Sequence, residues 1–165
     1  MIAALIIVAD RLSKLLIQRT MNVYETLSIV PGWLRIVHTE NPGAAFGVLA
    51  EGNPLLRSAV LIGVSAAVLV FVALALWRPG SSYTTSLTRF GLSLILGGAI
   101  GNLYDRILHG AVTDFIEVYH GAWSFPAFNV ADSAISIGAV LLCLDLLLAR
   151  SKHVQQPATL AHKQQ

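Results

Sequence analysis

The chain has 165 residues, of which 55% are hydrophobic and 12% charged, and its formal net charge is +2. Soluble domains carry about 25% charged residues, so this composition is typical of a membrane protein. The small, scattered positive charge argues against nucleic acid binding, and a single cysteine excludes a disulfide framework. The histidines form no H-E-x-x-H pair for zinc.

The first segment, residues 1–18, is an apolar helix interrupted by charged side chains. Asp10 and Lys14 lie four positions apart with the acid first, so they share a helix face and can form an ion pair. A cleaved signal peptide would have basic residues before its apolar run, and this segment does not. The residues before Asp10 make about 14 Å of helix, against a bilayer span of ~30 Å. Either the helix begins inside the bilayer or the chain lacks its first residues.

Residues 20–53 have the alternating pattern of strands rather than the pattern of a helix. Glu25–Val30 and Leu34–Thr39 alternate on either side of Pro31-Gly32, which predicts a hairpin with proline and glycine at the turn corners. Asn41-Pro42-Gly43 predicts a second turn. We expect a small sheet that includes this region and residues 110–128.

Three later segments are predicted to be membrane-spanning helices, at about 56–77, 87–107 and 130–150. The clearest is Ser58–Trp77, which has no charged residue and is long enough to cross a bilayer. With the first segment they make four spans.

An even number of spans puts both termini on one side of the membrane. Lysine and arginine are concentrated in the 78–89 loop and near the C-terminus, so the positive-inside rule places both termini in the cytoplasm. The sheet then lies on the extracytoplasmic face. We expect residues 1–150 to form one integral membrane domain and residues 151–165 to be a polar, disordered cytoplasmic tail.

Two aspartates, Asp114 and Asp132, come from the two sides of the short segment that connects the last two helices. Two carboxylates that share one proton can hydrolyse a peptide bond, because one activates water and the other polarises the carbonyl. Asp132 has a structural alternative, as the N3 acid of a capping box that begins at Asn129. Asp114 has no comparable explanation, and an ionisable group at membrane depth indicates function. If both interpretations of Asp132 hold, the helix dipole favours its charged form and leaves Asp114 as the protonated partner.

The end of the third helix carries a second polar group. Asn102, Asp105 and Arg106 lie within one turn, which fits a helix end closed by a local ion pair. Alternatively, Asn102 and Arg106 share a face and direct an amide and a guanidinium at a substrate or at Asp132.

Other polar or small residues have simpler explanations. Gly97 and Gly101 form a small-xxx-small pair, which favours helix packing. Asp10 and Lys14 neutralise each other in the bundle; a Ser/Lys dyad using Lys14 is a rival hypothesis, but no serine is clearly placed for it. Asp145 is expected to snorkel or pair near the cytoplasmic edge.

Taken together, these motifs resemble those of lipoprotein signal peptidase, the type II signal peptidase family of bacteria. Five stretches match in order: DRLSK from Asp10 to Lys14, NPGAAF from Asn41 to Phe46, GGAIGNLYDR from Gly97 to Arg106, VTDF from Val112 to Phe115 and FNVAD from Phe128 to Asp132. The last three are the more specific.

The resemblance implies a hydrolase of the bacterial cytoplasmic (inner) membrane, an aspartyl endopeptidase that cleaves prolipoproteins just before their diacylglyceryl-modified cysteine. The implied fold is a mainly α membrane protein, a four-transmembrane-helix bundle with a small antiparallel β-sheet on the extracytoplasmic face. Asp114 and Asp132 correspond to the catalytic dyad. The positions that support the site or bind substrate are Asp10, Lys14, Asn41, Gly43, Asn102, Arg106 and Asn129. The implied partners are the prolipoprotein and membrane lipid; we expect a monomer without metal or organic cofactor.

Two other classes of function remain open from the residues alone. A small proton- or ion-coupled transporter also uses paired intramembrane acids, but the sequence has no internal repeat and its polar residues gather at one membrane face. A non-enzymatic four-helix subunit would use the acids as helix caps. That hypothesis leaves Asp114 unexplained and predicts a silent Asp114→Asn.

Overall fold

The computed structural model describes residues 1–43, 53–77 and 85–155, and this part of the chain forms four helices and four strands. The helices are α1 (Ile2–Thr20), α2 (Pro54–Trp77), α3 (Ser86–His109) and α4 (Val130–Gln155). The strands are β1 (Thr26–Val30), β2 (Leu34–Asn41), β3 (Val112–His120) and β4 (Trp123–Ser124). They form one antiparallel sheet in the order β1-β2-β3-β4. The prediction of a mainly helical chain with a small antiparallel sheet is confirmed.

Parts of three predictions lie outside the described residues. They are the Ala44–Phe46 portion of the second motif, most of the basic 78–89 loop, and the end of the predicted polar tail, from residue 156. Within the described part, α4 continues to Gln155, five residues past its predicted end. The helix can continue because no glycine or proline interrupts the sequence between Gly138 and Pro157.

Two of the four helices are long and apolar enough to cross a membrane by length and composition alone. They are Pro54–Trp77 and Val130–Leu148. Charged residues interrupt α1, and α3 contains Arg89, Asp105 and Arg106 together with glycine and serine residues.

Helix α3 is the centre of the bundle and contacts α1, α2 and α4. Its glycines allow a close approach to α4. A Cβ added at Gly138 would lie 2.6 Å from the carbonyl oxygen of Gly91, and one added at Gly98 would overlap the carbonyl oxygen of Ala131. Gly97 and Gly101 face α1 instead, where added Cβ atoms would lie 2.8 Å from the Ala3 oxygen and 2.6 Å from the Asp10 carboxylate. These glycines therefore serve helix packing.

The distribution of polar and apolar side chains in α1 is the reverse of that in a water-soluble helix. Leu5, Leu12 and Leu16 are 66%, 63% and 61% exposed, while Asp10 and Lys14 are fully buried. This pattern suits a helix whose apolar side faces lipid and whose charged side faces the interior of a bundle.

The hairpin predicted around Pro31-Gly32 joins β1 to β2. The amide of Trp33 donates to the Val30 carbonyl at 3.0 Å, and Gly32 has φ +81. A positive φ at the second corner is what a type II turn requires, so glycine there avoids backbone strain.

Asp145 lies at the opposite end of the helices from Asp114. Its carboxylate accepts hydrogen bonds from the hydroxyls of Thr85 and Thr88 at the start of α3. Thr85 is also the N-cap of α3 and accepts from the Thr88 amide at 3.1 Å. The predicted pairing of Asp145 is therefore to the N-terminus of α3, where the helix dipole favours a negative charge.

Gly98→Ala is expected to lower the unfolding free energy by about 1–3 kcal/mol, because the added methyl overpacks the α3–α4 contact. The measurement is thermal unfolding in detergent. Gly63→Ala on α2 is the matched control, since a Cβ there meets nothing within 4 Å. Equal losses in both variants would contradict the close-packing explanation.

Candidate active site

Asp114 lies on β3 within a run of four buried residues, Val112–Phe115. The segment that leads into α4 pairs with this strand: the amide of Phe128 donates to the Ile116 carbonyl at 3.0 Å, and the amide of Ile116 donates back at 2.8 Å. This pairing holds the start of α4 beside Asp114.

Asp132 occupies the third position of α4, as the capping-box interpretation predicts. The backbone N–H of Asp132 donates to Asn129 Oδ1 at 2.9 Å, and the backbone N–H of Asn129 donates to Asp132 Oδ2 at 3.3 Å. This reciprocal pair satisfies two backbone donors that a helix start leaves free. The capping role is thus confirmed, and it keeps the Asp132 carboxylate at the positive end of the helix.

Three asparagine amides donate to the two carboxylates. Asn41 Nδ2 lies 3.0 Å from Asp114 Oδ2, and Asn129 Nδ2 lies 2.7 Å from Asp114 Oδ1. Asn102 Nδ2 lies 2.7 Å from Asp132 Oδ1. Asn129 therefore donates to both carboxylates, to Asp114 through its side chain and to Asp132 through its backbone N–H.

Other groups fix which end of each amide faces a carboxylate. The amide of Gly43 donates to Asn41 Oδ1 at 2.9 Å, in a turn where Gly43 has φ +96. Lys14 Nζ donates to Asn102 Oδ1 at 3.0 Å. With each oxygen already occupied by a donor, the NH₂ groups of Asn41 and Asn102 are directed to the aspartates.

A buried ionic cluster lies behind the aspartates. Lys14 Nζ is 2.8 Å from Asp10 Oδ2 and 2.8 Å from Asp105 Oδ2, and all three side chains are at most 1% exposed. Asp10 Oδ1 accepts from the Ala131 amide at 3.0 Å and so satisfies another donor of the α4 start. The predicted Asp10–Lys14 pair is confirmed.

Of the two interpretations of the α3 end, the local ion pair between Asp105 and Arg106 is wrong, whereas Asn102 does direct its amide at Asp132. Asp105 pairs across the helices with Lys14 and Arg11 rather than with Arg106. Helix packing brings α1 cations to Asp105, so a partner in its own turn is not needed. Asp105 and Arg11 were therefore missed as site residues, although an acid within an apolar helix signals a buried partner.

The two aspartates line one cavity of about 650 Å³, together with Asn41 and Arg106. The remaining wall is formed by residues of β2, the turn after it, β3 and the segment before α4: Val37, Thr39, Glu40, Pro42, Glu117, Phe125, Pro126, Ala127 and Phe128. Among the described residues, the buried Nε of Arg106 has no hydrogen-bond partner. A cation with a free donor in this cavity can bind an oxygen of a ligand.

Burial raises the pKa of Asp114 to about 6, and the negative charge of Asp132 adds to the increase. The hydrogen bonds from Asn41 and Asn129, which favour the ionised form, oppose it. The protonated form of Asp114 is therefore populated up to about pH 6, as expected for the acid member of a pair.

Within the described residues, no group of three or more His, Cys, Asp or Glu side chains could hold a metal ion.

Comparison with known proteins identifies the family. Residues 2–148 match the family model described as signal peptidase (SPase) II. The chain belongs to the signal peptidase II family. A lipoprotein signal peptidase of Solibacter usitatus is 43% identical over 146 residues, which cover 88% of each chain. One of Ectopseudomonas mendocina is 40% identical over 147 residues, covering 88% of this chain and 85% of the relative.

The fold is similar to that of solved bacterial membrane enzymes. One, described as a bacterial membrane enzyme structure at 2.3 Å resolution, has a TM-score of 0.79 at 30% identity and covers 92% of this chain and 88% of its own. A second, at 1.9 Å resolution, has a TM-score of 0.76 at 30% identity, with 88% and 90% covered. The membrane-protein class inferred from composition agrees with these neighbours.

Lys14→Met is expected to lower the unfolding free energy by about 3 kcal/mol or more, because it leaves a buried aspartate pair without its shared cation. Thermal unfolding in detergent measures the loss. Arg19→Met, an exposed position in the last turn of α1, is the control and should change stability little. Similar stability of the two variants would contradict a structural role for the cluster.

Asp132→Asn is expected to lower the pKa of Asp114 from about 6, because it removes the negative charge that disfavours ionisation nearby. The measurement is a carbon-13 NMR titration of aspartate carboxyls in micelles, assigned with Asp114→Asn. Asp145→Asn, at the far end of the helices, should leave the titration unchanged. An Asp114 pKa that stays at its wild-type value in Asp132→Asn would show that the two carboxylates are not coupled.

Proposed function

We propose that the protein is an aspartyl endopeptidase that removes prolipoprotein signal peptides by cleaving just before the diacylglyceryl-modified cysteine. Membership of the signal peptidase II family supports the substrate class. The observation that carries the catalytic part is that Asp114 and Asp132, from a strand and a helix, line one cavity and share Asn129.

In the proposed reaction, Asp132 is the base and Asp114 the acid. Asp132 takes a proton from a water molecule while the oxygen of that water attacks the scissile carbonyl carbon. Asp114 gives its proton to the carbonyl oxygen. The tetrahedral diol then collapses. Asp114 recovers its proton from a hydroxyl, Asp132 protonates the departing nitrogen, and the C–N bond breaks. The products are a free carboxyl on the signal peptide and a free amine on the lipidated cysteine.

The different environments of the two carboxylates support these roles. Asp114 is buried and has a pKa raised to about 6, whereas Asp132 lies at a helix N-terminus, which favours a negative charge. Because the pair is coupled, kinetics report apparent values for both groups. We expect activity to fall as the pH rises through about 6, where the shared proton is lost. Site-specific titration showing the proton on Asp132 would reverse the assignment.

The surroundings of the dyad suit a substrate that is part peptide and part lipid. An apolar groove of about 500 Å³ shares Asp132 with the cavity and continues along α4 past Ser133, Ser136 and Ile137. We propose that the peptide lies in the polar cavity, with its carbonyl near Arg106, while the acyl chains lie in the groove.

A four-span topology completes the proposal. The leucines exposed on α1 and the polar groups buried behind them support a membrane position for α1 as well as for α2 and α4. In this arrangement both termini are cytoplasmic, the sheet is extracytoplasmic and the dyad lies near that face, where a lipid-anchored cysteine would present its peptide bond.

Asp114→Asn and Asp132→Asn are each expected to reduce cleavage by at least about 10²- to 10⁴-fold, the range that acid–base groups contribute. The assay uses purified protein in detergent with a synthetic diacylglyceryl-cysteine prolipopeptide, and mass spectrometry locates the cut. Asp145→Asn is the matched control because its carboxylate bonds Thr85 and Thr88 far from the cavity.

The outcomes separate the competing hypotheses. Loss in Asp114→Asn alone would make Asp132 a helix cap only. A folded wild-type protein that does not cleave the lipopeptide would overturn the peptidase proposal and favour proton-flux assays for the transporter hypothesis.

A further inference from the structure

Between two of the residue pairs that join β2 to β3, strand β2 contains one residue more than β3. Ile36 pairs with Ile116 and Thr39 pairs with Asp114, so three steps on β2 oppose two on β3. The irregularity is a β-bulge at Val37 and His38. These consecutive residues are both buried, at 3% and 4% exposure, whereas side chains of a regular strand alternate between faces.

The bulge decides which β2 side chains lie on the same face as Asp114. Because side chains alternate with a period of two, one extra residue reverses the face of every residue after it. With the bulge, Thr39 is opposite Asp114, and Asn41 is on the same face and donates to it. If the pairing of Ile36 continued without a bulge, His38 would be opposite Asp114 and Asn41 would lie on the other face.

The side chain of His38 holds the bulge to the end of α1. Its Nδ1 lies 2.9 Å from the Met21 carbonyl oxygen and its Nε2 lies 3.1 Å from Glu40 Oε1. A carbonyl and a carboxylate only accept, so both contacts are hydrogen bonds when both ring nitrogens carry a proton. The His38 backbone is held as well, since it donates to Glu25 and accepts from Tyr24.

The same chain of hydrogen bonds reaches β3 beside Asp114. Thr113 Oγ1 donates to Glu40 Oε1 at 3.0 Å, and Gln18 Nε2 donates to Thr113 Oγ1 at 2.7 Å. The contacts therefore run from Gln18 on α1 through Thr113, Glu40 and His38 and return to Met21 just after α1. We call these five residues the His38 clamp.

We propose that His38 is a positioning residue: the clamp fixes the β-bulge and thereby keeps the Asn41 amide on Asp114. This inference rests on the proposed function, in which Asp114 takes part in catalysis. It assigns a role to a histidine that lies outside the recognised motifs and does not touch either aspartate in the structure.

The first test is His38→Phe, which keeps a ring of similar size and removes both side-chain hydrogen bonds. The Asn41 hydrogen bond favours ionised Asp114, so its loss should raise the pKa of Asp114 above its wild-type value. The readout is the carbon-13 carboxyl titration, which needs no substrate. Cleavage of the lipopeptide should fall about tenfold, the scale of one hydrogen bond to a charged group.

A double-mutant cycle distinguishes positioning from a general loss of structure. If His38 acts through Asn41, then His38→Phe in an Asn41→Ala background changes neither the titration nor the cleavage rate further. Additive effects would overturn the proposal. His120→Phe is the matched control: His120 is an exposed histidine of β3 that stacks on Trp33, and its replacement should leave Asp114 unchanged.

A milder variant covers the case in which His38→Phe does not fold. Thr113→Val keeps the shape of the side chain and removes its hydroxyl bonds to Gln18 and Glu40 without changing any charge. It should also raise the pKa of Asp114. An unchanged titration in folded His38→Phe or Thr113→Val would overturn the inference, while a shifted titration in a protein that cleaves no lipopeptide would overturn the proposed function alone.

Discussion

The buried ammonium group of Lys14 is the constraint on which the interior depends. An unpaired charge in a low-dielectric interior costs several kcal/mol, so this lysine is tolerated only with Asp10 and Asp105 in contact. Those contacts join α1 to α3, and Asp10 in turn accepts from the first turn of α4. Apolar side chains facing lipid cannot specify one helix arrangement in this way, because lipid is as apolar as they are. The buried charges therefore join α1, α3 and α4 at defined points, in addition to the glycine-mediated packing.

The two aspartates differ in how strongly their surroundings favour the charged form, because one lies on a helix and the other on a strand. Asp132 begins a helix, where backbone donors and the dipole favour its charge. Asp114 lies within a strand, where burial dominates and is offset by the amides of Asn41 and Asn129 and by the charge of Lys14. Two carboxylates in equal surroundings would compete for a shared proton. A strand and a helix start therefore supply unequal surroundings.

Features set by local spacing could be predicted from the sequence. Asp10 and Lys14 share a helix face, Asn129 and Asp132 form a capping box, and Pro31-Gly32 makes a turn, because each depends on a few consecutive residues. The family resemblance selected Asn41 and Gly43; Gly43 bonds Asn41, and the contact of Asn41 with Asp114 depends on a strand distant in the sequence.

Features set by packing could not be predicted. A local ion pair at Asp105 was one of two interpretations of the α3 end, because the sequence does not show which helix lies beside it. The bulge at Val37 and His38 was missed because it exists only relative to β3, whose partner is unknown until the sheet forms. Val37-His38 does interrupt the alternation of β2, but an interrupted pattern does not say which face the later residues take.

Asn129 caps the N-terminus of α4 and also donates a hydrogen bond to Asp114. The hydrogen bonds around the two aspartates therefore depend on the folding of the first turn of α4. Helix ends open and close far more often than helix centres. When the first turn of α4 frays, Asp132 loses the Asn129 amide and Asp114 loses the Asn129 side chain together. The two aspartates therefore keep their shared partner only while the first turn of α4 is closed.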